Sequence, residues 1–148
     1  IFSGKYLDCG SLIGYINSGI QIFKGKLMKL CMIGTGYVGL VSGVCFADIG
    51  NQVICVDKDK NKINKLNTGI SPIYEPGLDE LIKKNFVAKR LSFTTDINKA
   101  INISDIIFIC VGTPTKKGSI KVDLSFVYKC AKEISKYSKR NICSRQNT

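Results

Sequence analysis

Short apolar runs alternate with stretches of helical periodicity along most of this chain. The apolar runs are rich in Val, Ile, Phe and Cys, as is typical of buried strands, and cover 30–33, 52–56, 91–94 and 105–111. Helices are predicted between and after them, over 37–49, 59–66, 77–86, 96–101 and 123–137. This repeated order of strand and helix predicts an α/β fold with a parallel sheet.

The apolar positions within the helices predict which side of each one faces the sheet. Inward positions are expected at Ile63 and Leu66, at Leu78, Leu81 and Ile82, and at Leu124, Val127, Ala131 and Ile134. Right-handed crossovers give a doubly wound sheet in which the first and fourth strands are neighbours, and a ligand is expected where they diverge. The fourth run, 105–111, is the most apolar and is expected to be a central strand.

Glycines at a fixed spacing separate the first strand from the first helix. Gly34, Gly36 and Gly39 form the pattern G-x-G-x-x-G, with Thr35, Tyr37 and Val38 between them. In a Rossmann-like dinucleotide site the first glycine permits the sharp turn, the second lets a pyrophosphate approach the backbone, and the third lets the helix pack closely. The helix N-terminus then presents N–H groups to the phosphates.

An acidic residue follows the second strand at the position that such a site requires. Asp57 comes after the run QVICV, at about the 20-residue spacing from the first glycine that is expected for the ribose-binding acid. A carboxylate there accepts hydrogen bonds from ribose hydroxyls and repels a 2′-phosphate, which favours NAD over NADP. The alternative is a tight turn that binds no ligand, with Asp57 serving only to cap the next helix.

The loop after the fourth strand is expected to lie beside the glycine-rich turn. It begins with Gly112, Thr113, Pro114 and Thr115, whose hydroxyls and backbone groups would reach the cofactor from the other side. The alternative is an ordinary turn in which glycine and proline have only a conformational role.

Composition limits the remaining function classes. The chain has 148 residues, a formal charge of +11, seven cysteines and no histidine. Without C-x-x-C or histidine a zinc site is not expected, and the cysteines in apolar runs are interpreted as core residues in a reducing, cytoplasmic compartment. No apolar run is long enough to span a membrane. The lysines are scattered without interleaved aromatic residues, so a solvated surface is favoured over nucleic-acid binding.

From Met28 to about Tyr137 the sequence resembles the nucleotide-sugar dehydrogenases of the UDP-glucose/GDP-mannose dehydrogenase family. The segments that carry the resemblance are 34–40 (GTGYVGL), 56–57 (VD), 72–78 (PIYEPGL) and 111–115 (VGTPT). It implies NAD held by 34–39, Asp57 on the adenosine ribose, Lys62 near that ribose, and Val111 with the following loop lining the other side. UDP-glucose is favoured as the family substrate by Tyr74 and by residues 1–27, which resemble a family of enzymes that make UDP-glucose. GDP-mannose or another nucleotide sugar is the alternative.

The two ends of the chain depart from this pattern. Residues 1–27, with GKYLDCGS at 4–11, resemble the C-terminal end of UTP–glucose-1-phosphate uridylyltransferases and are expected to be foreign to the domain. The NAD-binding domain is expected over 28–138, and 139–148 as an irregular tail, with the sheet truncated before or at its fifth strand. The Ser-Thr-Val-Pro segment, substrate loop and cysteine nucleophile of the family are not in this sequence. The chain is therefore expected to be a cofactor-binding part without catalytic residues, inactive alone; the alternative is an independent NAD-binding module.

Overall fold

A computed structural model describes residues 27–115 and 122–137, and these form a parallel sheet with helices on both faces. The strands are β1 (Lys29–Ile33), β2 (Gln52–Val56), β3 (Leu91–Thr94) and β4 (Ile106–Ile109). The helices are α1 (Tyr37–Asp48), α2 (Lys60–Asn67), α3 (Leu78–Val87), α4 (Ile97–Ile103) and α5 (Ser125–Tyr137). The predicted α/β, Rossmann-like class is confirmed. Residues 1–26 of the expected leader at 1–27, and the expected tail at 139–148, lie outside the described residues.

The sheet places the first strand between the second and the fourth. Its order is β3-β2-β1-β4, all parallel, with Cys31 of β1 opposite Ile54 on one side and Ile107 on the other. The predicted neighbourhood of the first and fourth strands is confirmed. Among the described residues, however, β4 pairs only with β1, so it lies at an edge, whereas the sequence predicted a central strand. Its first three side chains are half-buried and Ile109 is exposed.

The first face of the sheet is covered by α1, α2 and α3. Nearly all of α1 is buried, from Gly39 to Ala47, because this helix lies between the sheet and its neighbours. The predicted inward residues Ile63, Leu66, Leu78 and Ile82 are buried in the same cluster, and Leu81 packs against it. Periodicity therefore located the core-facing side of α2 and α3 correctly.

The second face is covered by α4 and α5, and here the predicted stripe of α5 is partly wrong. Ile134 is buried as expected, but Ala131 is exposed and Leu124 is 42% exposed. The helix packs instead through Cys130, Ile134 and Tyr137, which repeat at helical spacing on an adjacent side. Within the described ranges, no helix combines the length and apolar character needed to span a bilayer.

Candidate functional site

A cleft of about 670 Å³ opens at the carboxyl ends of the strands, where β1 and β4 diverge. Its size falls within the range of roughly 300–1,000 Å³ that is usual for small-molecule sites. It is lined by strand ends and the turns that follow them, and by residues of α2, α4 and α5: Ile33, Gly34, Gly36, Val56, Asp57, Lys58, Lys62, Thr95, Ile97, Cys110, Val111, Gly112, Pro114, Phe126, Lys129 and Cys130. Sequence motifs from distant parts of the chain thus meet at one edge of the sheet.

The glycine-rich turn is packed so closely that two of its positions exclude a side chain. Gly34 has a φ of +107°, and a Cβ there would lie 2.6 Å from the carbonyl oxygen of Cys110. A Cβ on Gly39 would lie 2.0 Å from the carbonyl oxygen of Gly34. The first and third glycines are therefore required by the turn and by the close approach of α1, as the spacing predicted.

Gly36 differs from the other two because its missing side chain faces open space. A Cβ at this position would meet no heavy atom within 4 Å among the described residues. Gly36 is the N-cap of α1 and makes no side-chain capping hydrogen bond. The first N–H groups of a helix have no partner within it, and together with the helix dipole they suit an anion. The open side of Gly36 therefore fits a phosphate group beside the backbone.

Asp57 is held at the rim of this turn by contacts to both of its carboxylate oxygens. The Thr35 hydroxyl and backbone N–H donate to Oδ2 at 2.7 and 3.0 Å, and the Asp59 N–H donates to Oδ1 at 3.0 Å. Lys62 Nζ lies 3.9 Å from Oδ2. Burial raises the pKa of Asp57, but these hydrogen bonds and Lys62 outweigh it and bring the pKa below its usual value. The group is therefore an anion at neutral pH.

The structure assigns helix capping to Asp59 rather than to Asp57. The Asp59 carboxylate accepts hydrogen bonds from the N–H groups of Asn61 and Lys62, at 2.9 and 3.2 Å, and so caps α2. The alternative in which Asp57 serves only as a helix cap is thereby excluded. Its carboxylate is directed at the glycine-rich turn instead.

The loop after β4 contributes only part of what the sequence predicted. Val111, Gly112 and Pro114 line the cleft, whereas Thr113 and Thr115 are exposed and do not line it. Backbone hydrogen bonds hold the wall in place, with the Cys110 N–H donating to the Ile33 carbonyl at 2.8 Å. The two hydroxyl-bearing residues of this loop are therefore outside the lining of the cleft.

Four other predicted residues lie outside the lining of the cleft, and the buried Gly39 is one of them. Thr35 is 1% exposed, beneath the turn, while Tyr37 and Val38 are about half exposed at the start of α1. The Tyr37 hydroxyl donates to Glu75 Oε2 at 2.6 Å. This contact joins the glycine-rich turn to the segment PIYEPGL, for which the sequence had indicated no contact.

Sequence reasoning missed the wall that α5 provides. Phe126, Lys129 and Cys130 line the cleft, and Lys58 Nζ and Lys129 Nζ lie 5.6 and 5.8 Å from the Phe126 ring centroid. At these distances a cation is attracted weakly to the ring face. The sequence indicated that α5 is amphipathic, but the predicted inward side contained Ala131, whereas the structure packs the neighbouring Cys130 against the sheet.

The thiols near the cleft are not arranged as nucleophiles. Burial raises the pKa of Cys110 to about 11, and burial together with Cys110 raises that of Cys31 to about 12. A thiol with such a pKa is protonated at neutral pH and is a poor nucleophile. These side chains therefore act as small core residues, as the sequence indicated.

Comparison with known proteins gives a family match that agrees with this geometry. The family model "UDP-glucose/GDP-mannose dehydrogenase family, NAD binding domain" matches residues 28–145. A UDP-glucose 6-dehydrogenase of Rhizobium meliloti (strain 1021) is 56% identical over 108 residues, and one of Bacillus subtilis (strain 168) is 54% identical over 111 residues. These matches cover 73% and 75% of this chain but 25% and 24% of the relatives. The chain therefore spans about a quarter of their length.

Solved structures give the same result. A GDP-mannose dehydrogenase from Pseudomonas aeruginosa, solved as a ternary complex, has a TM-score of 0.70 and 45% identity, over 72% of this chain and 24% of that one. A UDP-glucose dehydrogenase from Pyrobaculum islandicum has a TM-score of 0.70 and 35% identity, over 74% and 25%. Both solved structures are matched over about a quarter of their own length.

Proposed function

The chain belongs to the UDP-glucose/GDP-mannose dehydrogenase family, in which it matches the NAD-binding domain, and we propose that its cleft binds NAD through the glycine-rich turn, Asp57 and the loop after β4. The observation that carries this proposal is the pairing of Gly36, whose Cβ position is open, with the anionic carboxylate of Asp57 at the same turn. One feature suits a phosphate and the other suits a ribose.

The residues present fit the parts of a dinucleotide. Gly36 and the N-terminus of α1 would hold the pyrophosphate, Asp57 and Lys62 the adenosine ribose, and the backbone of Val111 and Gly112 the opposite wall. When bound, NAD supplies a hydride acceptor. The protein supplies the hydrogen-bond donors, the hydrogen-bond acceptor and the cleft shape that orient NAD.

Preference for NAD over NADP follows from the charge at the ribose position. Asp57 only accepts hydrogen bonds when ionised, so it favours ribose hydroxyls and repels a 2′-phosphate. Lys58 and Lys62 also line the cleft and would attract that phosphate. Asp57 decides between these effects, because Thr35 holds its carboxylate while the Lys62 side chain is 42% exposed and screened by solvent.

We further propose that this domain serves the oxidation of a nucleotide sugar, with UDP-glucose favoured over GDP-mannose. Two relatives named UDP-glucose 6-dehydrogenase, at 56% and 54% identity with this chain, support UDP-glucose. Among the solved structures identity does not separate the two substrates, because the GDP-mannose dehydrogenase shares 45% and the UDP-glucose dehydrogenase from Pyrobaculum islandicum 35%. Burial raises the pKa of Cys110 and Cys130, the two thiols that line this cleft, so both are protonated at neutral pH and holding an aldehyde-level intermediate needs a nucleophile from elsewhere. The described cysteines are free, which supports a reducing, cytoplasmic location.

Calorimetric titration of NAD and NADP into the wild-type chain and the Asp57→Ala variant tests the proposal. We expect wild type to prefer NAD, and Asp57→Ala to bind NAD about 10- to 100-fold more weakly, because hydrogen bonds to a charged group are lost. Asp57→Ala should also reduce the ratio of NAD affinity to NADP affinity.

Asp59→Ala is the matched control. It removes the same charge two residues away, from a side chain that caps α2 and does not line the cleft. It should lower stability slightly and leave NAD affinity within about twofold. Equal wild-type affinities for NAD and NADP would contradict the proposed role of Asp57.

A further inference from the structure

The second residue of the glycine-rich turn has a role that the spacing of the glycines does not reveal. Thr35 is 1% exposed and lies outside the lining of the cleft, so it makes no wall for a ligand. Its side chain reaches instead from the turn after β1 to the acid after β2, and its hydroxyl donates to Asp57 Oδ2 at 2.7 Å. A threonine between two glycines thus connects the two motifs of the site.

The contacts at the carboxylate divide its acceptor sites unequally. An ionised carboxylate has about four lone-pair sites, two on each oxygen. Oδ2 accepts both the hydroxyl and the backbone N–H of Thr35, whereas Oδ1 accepts the N–H of Asp59. Acceptor capacity is therefore left on Oδ1, while Oδ2 is engaged by the turn.

Resting on the NAD site proposed above, we propose that Thr35 is a positioning residue, whose hydroxyl fixes the Asp57 carboxylate by Oδ2 so that Oδ1 is presented to the adenosine ribose. A side chain held in one rotamer loses less conformational entropy when it accepts a ligand hydroxyl. The Thr35 hydroxyl thus contributes to affinity through Asp57 and not through its own contact with the cofactor.

The test compares two ligands that differ only at the ribose. NAD and 2′-deoxy-NAD, which lacks the adenosine 2′-hydroxyl, are titrated by calorimetry into the full 148-residue chain. The variants are Thr35→Val, which keeps the shape but removes the hydroxyl, and Thr35→Ser, which keeps the hydroxyl. Wild type and Thr35→Ser should prefer NAD by about tenfold, the loss expected for one hydrogen bond to a charged group. Thr35→Val should retain little of this preference.

A merely structural role of Thr35 gives a different result. If the hydroxyl only stabilises the turn, Thr35→Val weakens both ligands equally and the wild-type ratio persists, which would overturn the proposal. If the wild-type chain binds no NAD, that result would contradict both the proposed function and this inference. A wild type that binds both ligands equally would overturn only the assignment at the ribose.

A measurement on the ligand-free chain keeps the proposal falsifiable independently of affinity. The chemical shift of the Asp57 carboxyl carbon is followed by NMR through a pH titration of wild type, Thr35→Val and Thr35→Ser. The pKa of Asp57 should rise in Thr35→Val only, since the hydroxyl stabilises the ionised carboxylate. An unchanged pKa would contradict the proposal. Thr35→Ala serves if Thr35→Val does not fold, and failure of both to fold while Thr35→Ser folds would show a structural role instead.

Discussion

The two faces of the sheet are built to different depths. The first face, under α1, α2 and α3, buries a large cluster of side chains, which includes most of α1, from Gly39 to Ala47. The second face, under α4 and α5, buries a much smaller set, in which Ile134 is the one buried residue of α5. We call the side of the sheet under α1, α2 and α3 the thick face, and the side under α4 and α5 the thin face.

The two faces have different roles, because the first contributes most of the buried core and the second borders the ligand cleft. The thick face lies directly beneath the glycine-rich turn, because α1 begins at Tyr37 and packs through Gly39 against the turn itself. The thin face borders the cleft, and α5 turns Phe126 and Lys129 toward it. Changes on the first face should therefore unfold the domain, whereas changes on the second should mainly alter the cleft.

The largest effect is expected at the junction of α1 and the turn. Gly39→Val would place a branched side chain 2.0 Å from a backbone oxygen that no rotamer change can move. Overpacking against backbone should cost more than about 3 kcal/mol, a large share of a typical domain stability. We expect a chain that is largely unfolded at 25 °C, as measured by circular dichroism and thermal melting.

Gly36→Val is the matched control within the same motif. Its Cβ meets open space, so the fold should be retained while the new side chain occupies the position proposed for the pyrophosphate. NAD binding should be lost although the melting curve changes little. A folded Gly39→Val variant would show that α1 does not depend on this close approach.

A smaller effect should distinguish the two layers directly. Ile82 of α3 is fully buried on the thick face, and Ile134 of α5 is 8% exposed on the thin one. Ile82→Ala should lower the free energy of unfolding by about 3–4 kcal/mol, and Ile134→Ala by about 1–2 kcal/mol, since a thin layer collapses more readily around the deletion. Urea denaturation at pH 7 measures both, and equal losses would contradict the contrast between the faces.

The same contrast explains which features could be predicted from sequence. The glycine spacing, the acid after β2 and the inward residues of α2 and α3 are encoded locally, in turn chemistry and in apolar period, and the structure places them accordingly. The stripe of α5 was displaced because a thin layer gives a helix few buried positions to mark its orientation. The Thr35–Asp57 contact spans 22 residues and depends on the pairing of β1 with β2. Such a contact becomes visible only once the sheet is assembled.

The smallest predicted effect concerns two carboxylates whose pKa values are both lowered. Burial raises the pKa of Asp48 at the end of α1, but Lys84 Nζ at 2.8 Å and Asn85 Nδ2 at 3.1 Å, both from α3, outweigh it. A pKa below the unfolded value of about 3.9 means that unfolding takes up protons in acid. The contribution of ionised Asp48 to the free energy of unfolding is therefore complete above about pH 4, and it is lost as the pH falls through the folded-state pKa.

Asp48→Asn and Asp57→Asn should each flatten the acid limb of a plot of unfolding free energy against pH, measured by urea denaturation from pH 2 to 7. At neutral pH the loss for Asp48→Asn should be about 1 kcal/mol, because its ion pair is partly exposed and screened. The two variants should differ in ligand binding, since Asp48 joins the helices of the thick face while Asp57 lines the cleft. NAD affinity should fall only in Asp57→Asn, and an equal fall in Asp48→Asn would show that the thick face and the cleft are energetically coupled.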